Sequence, residues 1–290
     1  MSAITDPLAY DFFLRALLAA SVVGVVCAVI GAYMVLRGLA FMGDALSHSA
    51  FPGVVVAYML HAPFYIGAAV AALATAISIG WVTRRGGLRT DTTIGVLFAG
   101  MFALGIFLFS LIPSYVGDLF GFLFGEVLAI GTGDLIALVV LALVVLAMVF
   151  FLWKELLYTT FDPLGAAASG LPVALLDYLL LALIAITIVV SLQAVGIILV
   201  VAMLVTPAAT AQLVTHSFAR LLLVAVGIGL VAPVIGLYVS YWANAASGAT
   251  IVLVETAVFV VALVYRLYRE QRAPNGLAQR AVEQERLPTP

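Results

Sequence analysis

The chain offers few residues that can do chemistry, and two of them stand one helical turn apart: Asp44 and His48, in the run Gly43-Asp-Ala-Leu-Ser-His-Ser49. On a helix an i, i+4 spacing puts both side chains on one face. A carboxylate and an imidazole together are a ligand pair for a first-row divalent metal. Gly43, Ser47 and Ser49 are small and leave the pair uncrowded, and Pro52 and Gly53 follow closely enough to kink the helix. An ionisable pair inside a membrane helix marks a functional site. The plainer alternative is an Asp–His hydrogen bond that holds two helices together. Two ligands per chain are too few for a stable metal site. A two-fold pair of chains would bring two carboxylates and two imidazoles together, a set that suits Zn, Mn and Fe(II) alike. Such ligands bind in their deprotonated forms, so occupancy is expected to fall at acid pH.

The setting these residues need is a bilayer, and composition supplies it. Hydrophobic residues make up 66% of the chain and charged residues 9%, with a mean hydropathy of +1.27, whereas a soluble domain carries about 25% charged residues. The apolar runs are long and continuous, which points to an all-α polytopic protein rather than a barrel of alternating strands. A net charge of −2 argues against a nucleic-acid partner. The single cysteine, Cys27, lies in an apolar run and reads as a small core residue.

Nine spans are expected: 14–36, 38–60, 65–83, 92–112, 134–152, 173–193, 195–214, 220–241 and 250–265. The second contains Asp44 and His48. Residues 114–133 are apolar but broken by glycines, and read as a re-entrant or interfacial segment. Eight spans with an extra re-entrant piece is the competing count. The chain thus divides into an extracellular segment (1–11), a transmembrane domain (12–266) and a largely disordered cytoplasmic tail (267–290). Nine spans put Arg37, Arg84, Arg85, Arg89, Lys154, Arg220 and the tail on one side, leaving Arg15 near the other. The positive-inside rule then places the N-terminus outside and the C-terminus in the cytoplasm, in a cell membrane.

Between the fifth and sixth spans, Phe161-Asp-Pro-Leu-Gly-Ala-Ala-Ala-Ser-Gly-Leu-Pro172 has the grammar of a short capped helix. Asp162 serves as N-cap, Pro163 fits the first helical position and Gly170 closes the end in a left-handed conformation. Gly165 weakens the helix slightly. Leu164 and Ala167 would form a small apolar face able to dock in a partner's groove; an ordinary interhelical loop is the alternative. Glu255 reads as a solvated carboxylate at the start of the ninth span, Gln193 as satisfying an outer turn, and Thr206-Pro207 as a kink in the seventh span. His61 and His216 fall in loops and read as solvated.

Three pieces taken together resemble a known family: the run from Arg37 to Gly53, the insert Phe161–Pro172, and the stretch from Ser191 to Gln212 with Thr206-Pro-Ala-Ala-Thr210. In this order they look like the permease subunits of manganese/zinc/iron-type ABC importers, over roughly residues 12–266. The resemblance implies a homodimeric path for a divalent metal. It also implies two copies of a separate cytoplasmic ATPase that bind the ATP, and an extracellular binding protein that delivers the ion. No permanently bound cofactor is implied. The family's metal-contacting Asp and His fall on Asp44 and His48. The coupling helix that meets the ATPase falls on Asp162, Pro163, Leu164, Gly165, Ala167 and Gly170. Glu126 stands where the family has a small residue, and no family role is carried to it.

The chain is not expected to be an enzyme. It has no Gly-x-x-x-x-Gly-Lys-Ser/Thr loop, no His-Glu-x-x-His and no nucleophile–base arrangement. The alternative function is a stand-alone carrier or channel using Asp44 and His48 as a proton relay or ion filter. A permease for vitamin B12 or siderophores is a third reading, but bulky ligands would not need a narrow Asp–His pair. The insert discriminates, since a carrier has no use for an ATPase-docking helix.

Overall fold

The structure, a computed structural model, describes residues 6–112, 128 and 130–272. After a short turn at Pro7–Ala9 come the helices α1 (Asp11–Leu36), α2 (Ala40–Ser49), α3 (Phe51–Met59), α4 (Phe64–Gly86), α5 (Thr90–Ser110) and α6 (Thr132–Phe151). The chain continues through α7 (Trp153–Phe161), α8 (Pro163–Ala168), α9 (Val173–Val195), α10 (Ile197–Val214), α11 (Phe218–Ala243) and α12 (Ser247–Arg272). No strand occurs among the described residues. In hydrocarbon a helix satisfies its own backbone polar groups, which is why these apolar runs take this form. Eight of the helices are long and apolar enough to cross a membrane. Most of the predicted re-entrant segment, residues 114–127 and 129 with Glu126 among them, lies outside the described residues, as does the tail beyond Arg272, while the segment's last two residues begin α6.

Side-chain contacts fix which helix ends share a side. Arg37, just past α1, and Arg84, in the last turn of α4, both pair with Asp177 near the start of α9. At the opposite end the Tyr65 hydroxyl donates to Asp134, joining the start of α4 to the start of α6, and Phe13 of α1 packs edge-on against Tyr238 of α11. Because α1 and α4 both end on the Arg37 side, α2 and α3 must carry the chain across between them. Among the described residues they therefore make one further crossing, in two pieces, beside the eight long helices.

The sequence reading of 38–60 as one span is thus corrected to a broken one. Pro52 has no N–H to give the carbonyl of His48, and its ring crowds that carbonyl. The two pieces meet at Ala50, which keeps helical φ and ψ of −68° and −25°, donates to the Leu46 carbonyl and accepts from the Val54 N–H. The break is packed tightly. A side chain on Gly105 of α5 would strike Phe51 and Pro52, and Gly53 meets Gly67 of α4 backbone to backbone. Close approach through small residues recurs where α1 crosses α11 at Gly24 and Gly229, and where Gly31 meets the Leu204 carbonyl of α10. These contacts make α1 the most enclosed helix, with Phe13, Cys27, Ile30, Tyr33 and Met34 all buried.

Pro207 lies inside α10, which continues through it to Val214. The last helix departs from expectation at Glu255. Its side chain is not a solvated helix-end carboxylate: it lies well inside α12, 0% exposed, and neither carboxyl oxygen has a hydrogen-bond partner among the described residues. Ile251 and Ala262 share its buried face. An unpaired buried polar group costs about 1–3 kcal/mol. Glu255→Met, which keeps the length and removes the polar atoms, is therefore expected to raise the melting temperature of the detergent-purified protein. A lower melting temperature would mean that the carboxylate meets a partner whose loss outweighs that cost.

Candidate functional site

Asp44 and His48 sit one turn apart on α2, between the Arg37 end and the break at Ala50. His48 Nε2 lies 3.4 Å from Asp44 Oδ1, with the Asp44 side chain 49% exposed and that of His48 29% exposed. The opposite face of α2 is anchored by Met42, Ala45 and Leu46, all buried. Ser47 is buried and donates to the Gly43 carbonyl, so it does not compete for the pair. Gly43 leaves room next to Leu204 and Met34. Both side chains are thus held on a firmly packed helix and turned to an open face of the single chain.

Two residues missed at the sequence level complete the surroundings. Phe98 and Phe102 of α5 stand against the imidazole, with ring centroids 5.5 Å and 5.2 Å away, the second edge-on. Their i, i+4 spacing matches that of Asp44 and His48, which is the one signal that could have paired them. They limit the ring's rotation without offering a competing ligand. Among the described residues no three of His, Cys, Asp and Glu gather where they could hold a metal ion. One chain therefore brings one carboxylate and one imidazole to an open face.

The insert forms the helix that its sequence specifies. The Asp162 carboxylate accepts from the Gly165 N–H at 2.8 Å, Pro163 occupies the first turn and Gly170 has a φ of +84°. Gly165, read above as a weakness, is what makes the cap fit: a Cβ there would collide with the Asp162 carboxylate and the Tyr158 hydroxyl. Ser169 donates to the Gly165 carbonyl and meets the Tyr158 hydroxyl, tying α8 to α7. Ala166 is fully buried, while Leu164 (83% exposed) and Ala167 face outward. Phe218, at the start of α11, touches Trp153, Phe161 and Tyr33, seating α7 on the body of the bundle. The two candidate sites stay apart: α8 lies beyond the Arg37 end, and Asp44 and His48 lie within the crossing.

Fold and site together define a polytopic helical membrane protein with an open carboxylate–imidazole pair and a capped helix between two of its spans. Residues 9–266 match the ABC 3 transport family, and the chain belongs to it. It is 45% identical over 256 residues to the manganese transport system membrane protein MntC of Listeria monocytogenes, covering 88% of this chain and 91% of that one. It is 43% identical over 264 residues to the chelated iron transport system membrane protein YfeD of Yersinia pestis, covering 91% and 89%. Among solved structures, PsaBC from Streptococcus pneumoniae in complex with Fab superposes with a TM-score of 0.80 at 38% identity, covering 90% of this chain and 94% of that one. The resemblance to permeases of metal-ion ABC importers is thereby established for nearly the whole chain.

Proposed function

We propose that this chain is the membrane-spanning permease subunit of an ATP-driven importer of a divalent metal, Mn(II), Fe(II) or Zn(II). Two copies would form the path. The observation that carries the reading is the Asp44/His48 pair, half-exposed on a rigid helix within the crossing and incomplete in one chain. A two-fold partner would supply the second carboxylate and imidazole. Carboxylate and imidazole without thiolate hold such ions and also release them, as transport requires. The relatives named for manganese and iron transport support that substrate class.

A separate cytoplasmic ATPase would dock on α8, and an extracellular binding protein would deliver the ion at the opposite face. The orientation follows from the cations: Arg37 and Arg84 share Asp177 at the end where α7 and α8 lie, and that end is assigned to the cytoplasm. The N-terminus is then outside. Membership in an ABC transport family, together with the exposed face of α8, favours this reading over a stand-alone carrier.

The test is cellular metal content by mass spectrometry in cells that depend on this chain for uptake. Deleting the chain is expected to lower one of Mn, Fe or Zn, with restoration when it is supplied again. Unchanged levels of all three would overturn the reading.

A further inference from the structure

Arg37 uses all three of its guanidinium nitrogens, and their partners come from different parts of the chain. Nη1 donates to Asp177 Oδ1 of α9 at 2.6 Å, Nη2 to Thr159 Oγ1 at 2.8 Å and Nε to Thr160 Oγ1 at 3.0 Å. Both threonines belong to the last turn of α7, directly before the Asp162 cap of α8. Their hydroxyls donate onward to the Leu156 carbonyl, so each is oriented to accept from the arginine. The Arg37 side chain is only 14% exposed, and hydrogen bonds to charged groups are the stronger kind where water is scarce. Arg84 takes the other Asp177 oxygen and so fixes the carboxylate between two cations.

On its other side Arg37 adjoins the metal-type pair through a rigid connection. Gly38, at φ +68°, closes α1 in a Schellman turn: its N–H donates to the Val35 carbonyl and the Leu39 N–H to the Met34 carbonyl. Helix α2 starts at Ala40, and Asp44 and His48 occupy its next two turns. A shift of α7 and α8 thus reaches α2 through one side chain and a three-residue turn, without a flexible loop between them.

We propose that Arg37 is the positioning residue that makes the α7–α8 insert and the Asp44/His48 helix move together, so that a shift of the insert driven by a docked ATPase is converted into movement of the metal pair. This rests on the reading of α8 as the helix that docks on an ATPase. Arg37 touches no metal; it acts through α2.

The test uses the full chain in its host cells with its own ATPase. Metal import is read by mass spectrometry of cell content. ATP hydrolysis by the co-purified complex is read in lipid nanodiscs with Mn(II), Fe(II) or Zn(II) added in turn. Arg37→Gln and the double variant Thr159→Val/Thr160→Val are compared; the second keeps the Arg37–Asp177 pair and cuts only the tie to α7. Both are expected to lower import at least tenfold while hydrolysis stays within twofold of wild type, so the ATP used per ion rises. Wild-type import in either variant overturns the inference. So does a parallel loss of import and hydrolysis in both, which is the mark of a merely structural contact. Deletion of the chain and Asp44→Ala run alongside: if deletion leaves import unchanged, the proposed function itself has failed; if Asp44→Ala imports normally, the role of the pair has failed; and if it is inactive while Arg37→Gln imports normally, only the role of Arg37 has failed.

Discussion

Asp44→Ala and His48→Ala are each expected to lower metal uptake by about 100-fold or more, with normal amounts of protein in the membrane. The size follows from the ligand count. In a two-fold assembly each substitution removes two of four ligands, and even outer partners of metal ligands cost 10–100-fold when lost. The competing role, a hydrogen bond between two side chains, predicts a different result. A half-exposed carboxylate and imidazole 3.4 Å apart form the sort of contact whose loss changes stability by about 0–1 kcal/mol. That is too little to remove a helix anchored by Met42, Ala45 and Leu46. Asp44→Asn separates the two roles. The amide keeps the shape and can still meet the imidazole, but it gives up the anionic ligand. Uptake as low as in Asp44→Ala, read as cellular metal content at matched expression, is the expected outcome. Full uptake in Asp44→Asn would return the pair to a structural role.

What the sequence revealed and what it hid divide along physical lines. The eight long apolar helices among the described residues were legible because hydrocarbon permits few backbone forms, and continuous apolar runs register directly. The pair at 44 and 48 was legible because its spacing is local, and so was the α8 cap, whose residues lie within one turn of each other. Glu255 was misread because α12 is apolar on every side there, so hydropathy carries no contrast between a packed face and an open one. Its burial depends on what the rest of the bundle sets against it. Arg37 looked like a topology signal alone, since Thr159, Thr160 and Asp177 lie more than 120 residues further along the chain. Gly165 was weighed by helix propensity, a small term, when the deciding fact was the room it leaves for the Asp162 carboxylate. The break in the second crossing was half-legible: Pro52 announced a kink, but Gly105 of α5 and Gly67 of α4 lie against the flanking residues only in three dimensions.

Leu164→Glu is expected to separate ATP hydrolysis from transport. Leu164 is 83% exposed on a helix whose other side is pinned by Ala166, and whose start is fixed by the Asp162 cap. A rigid, capped helix presenting one large apolar side chain has already met the ordering cost that weakens flexible contacts. Truncating an anchor of this kind typically costs about 2–4 kcal/mol, or roughly 30- to 1,000-fold in affinity. A carboxylate in its place adds the penalty of desolvating a charge without a partner. The variant should therefore reach the membrane in normal amounts, lose its co-purifying ATPase and import metal at least tenfold more slowly. Leu164→Met, which conserves volume and apolarity, should remain close to wild type. The contrast between the two variants makes the result specific, because a general defect in folding would not distinguish a methionine from a glutamate at an exposed position. Normal import and normal ATPase recovery in Leu164→Glu would remove α8 from the docking surface.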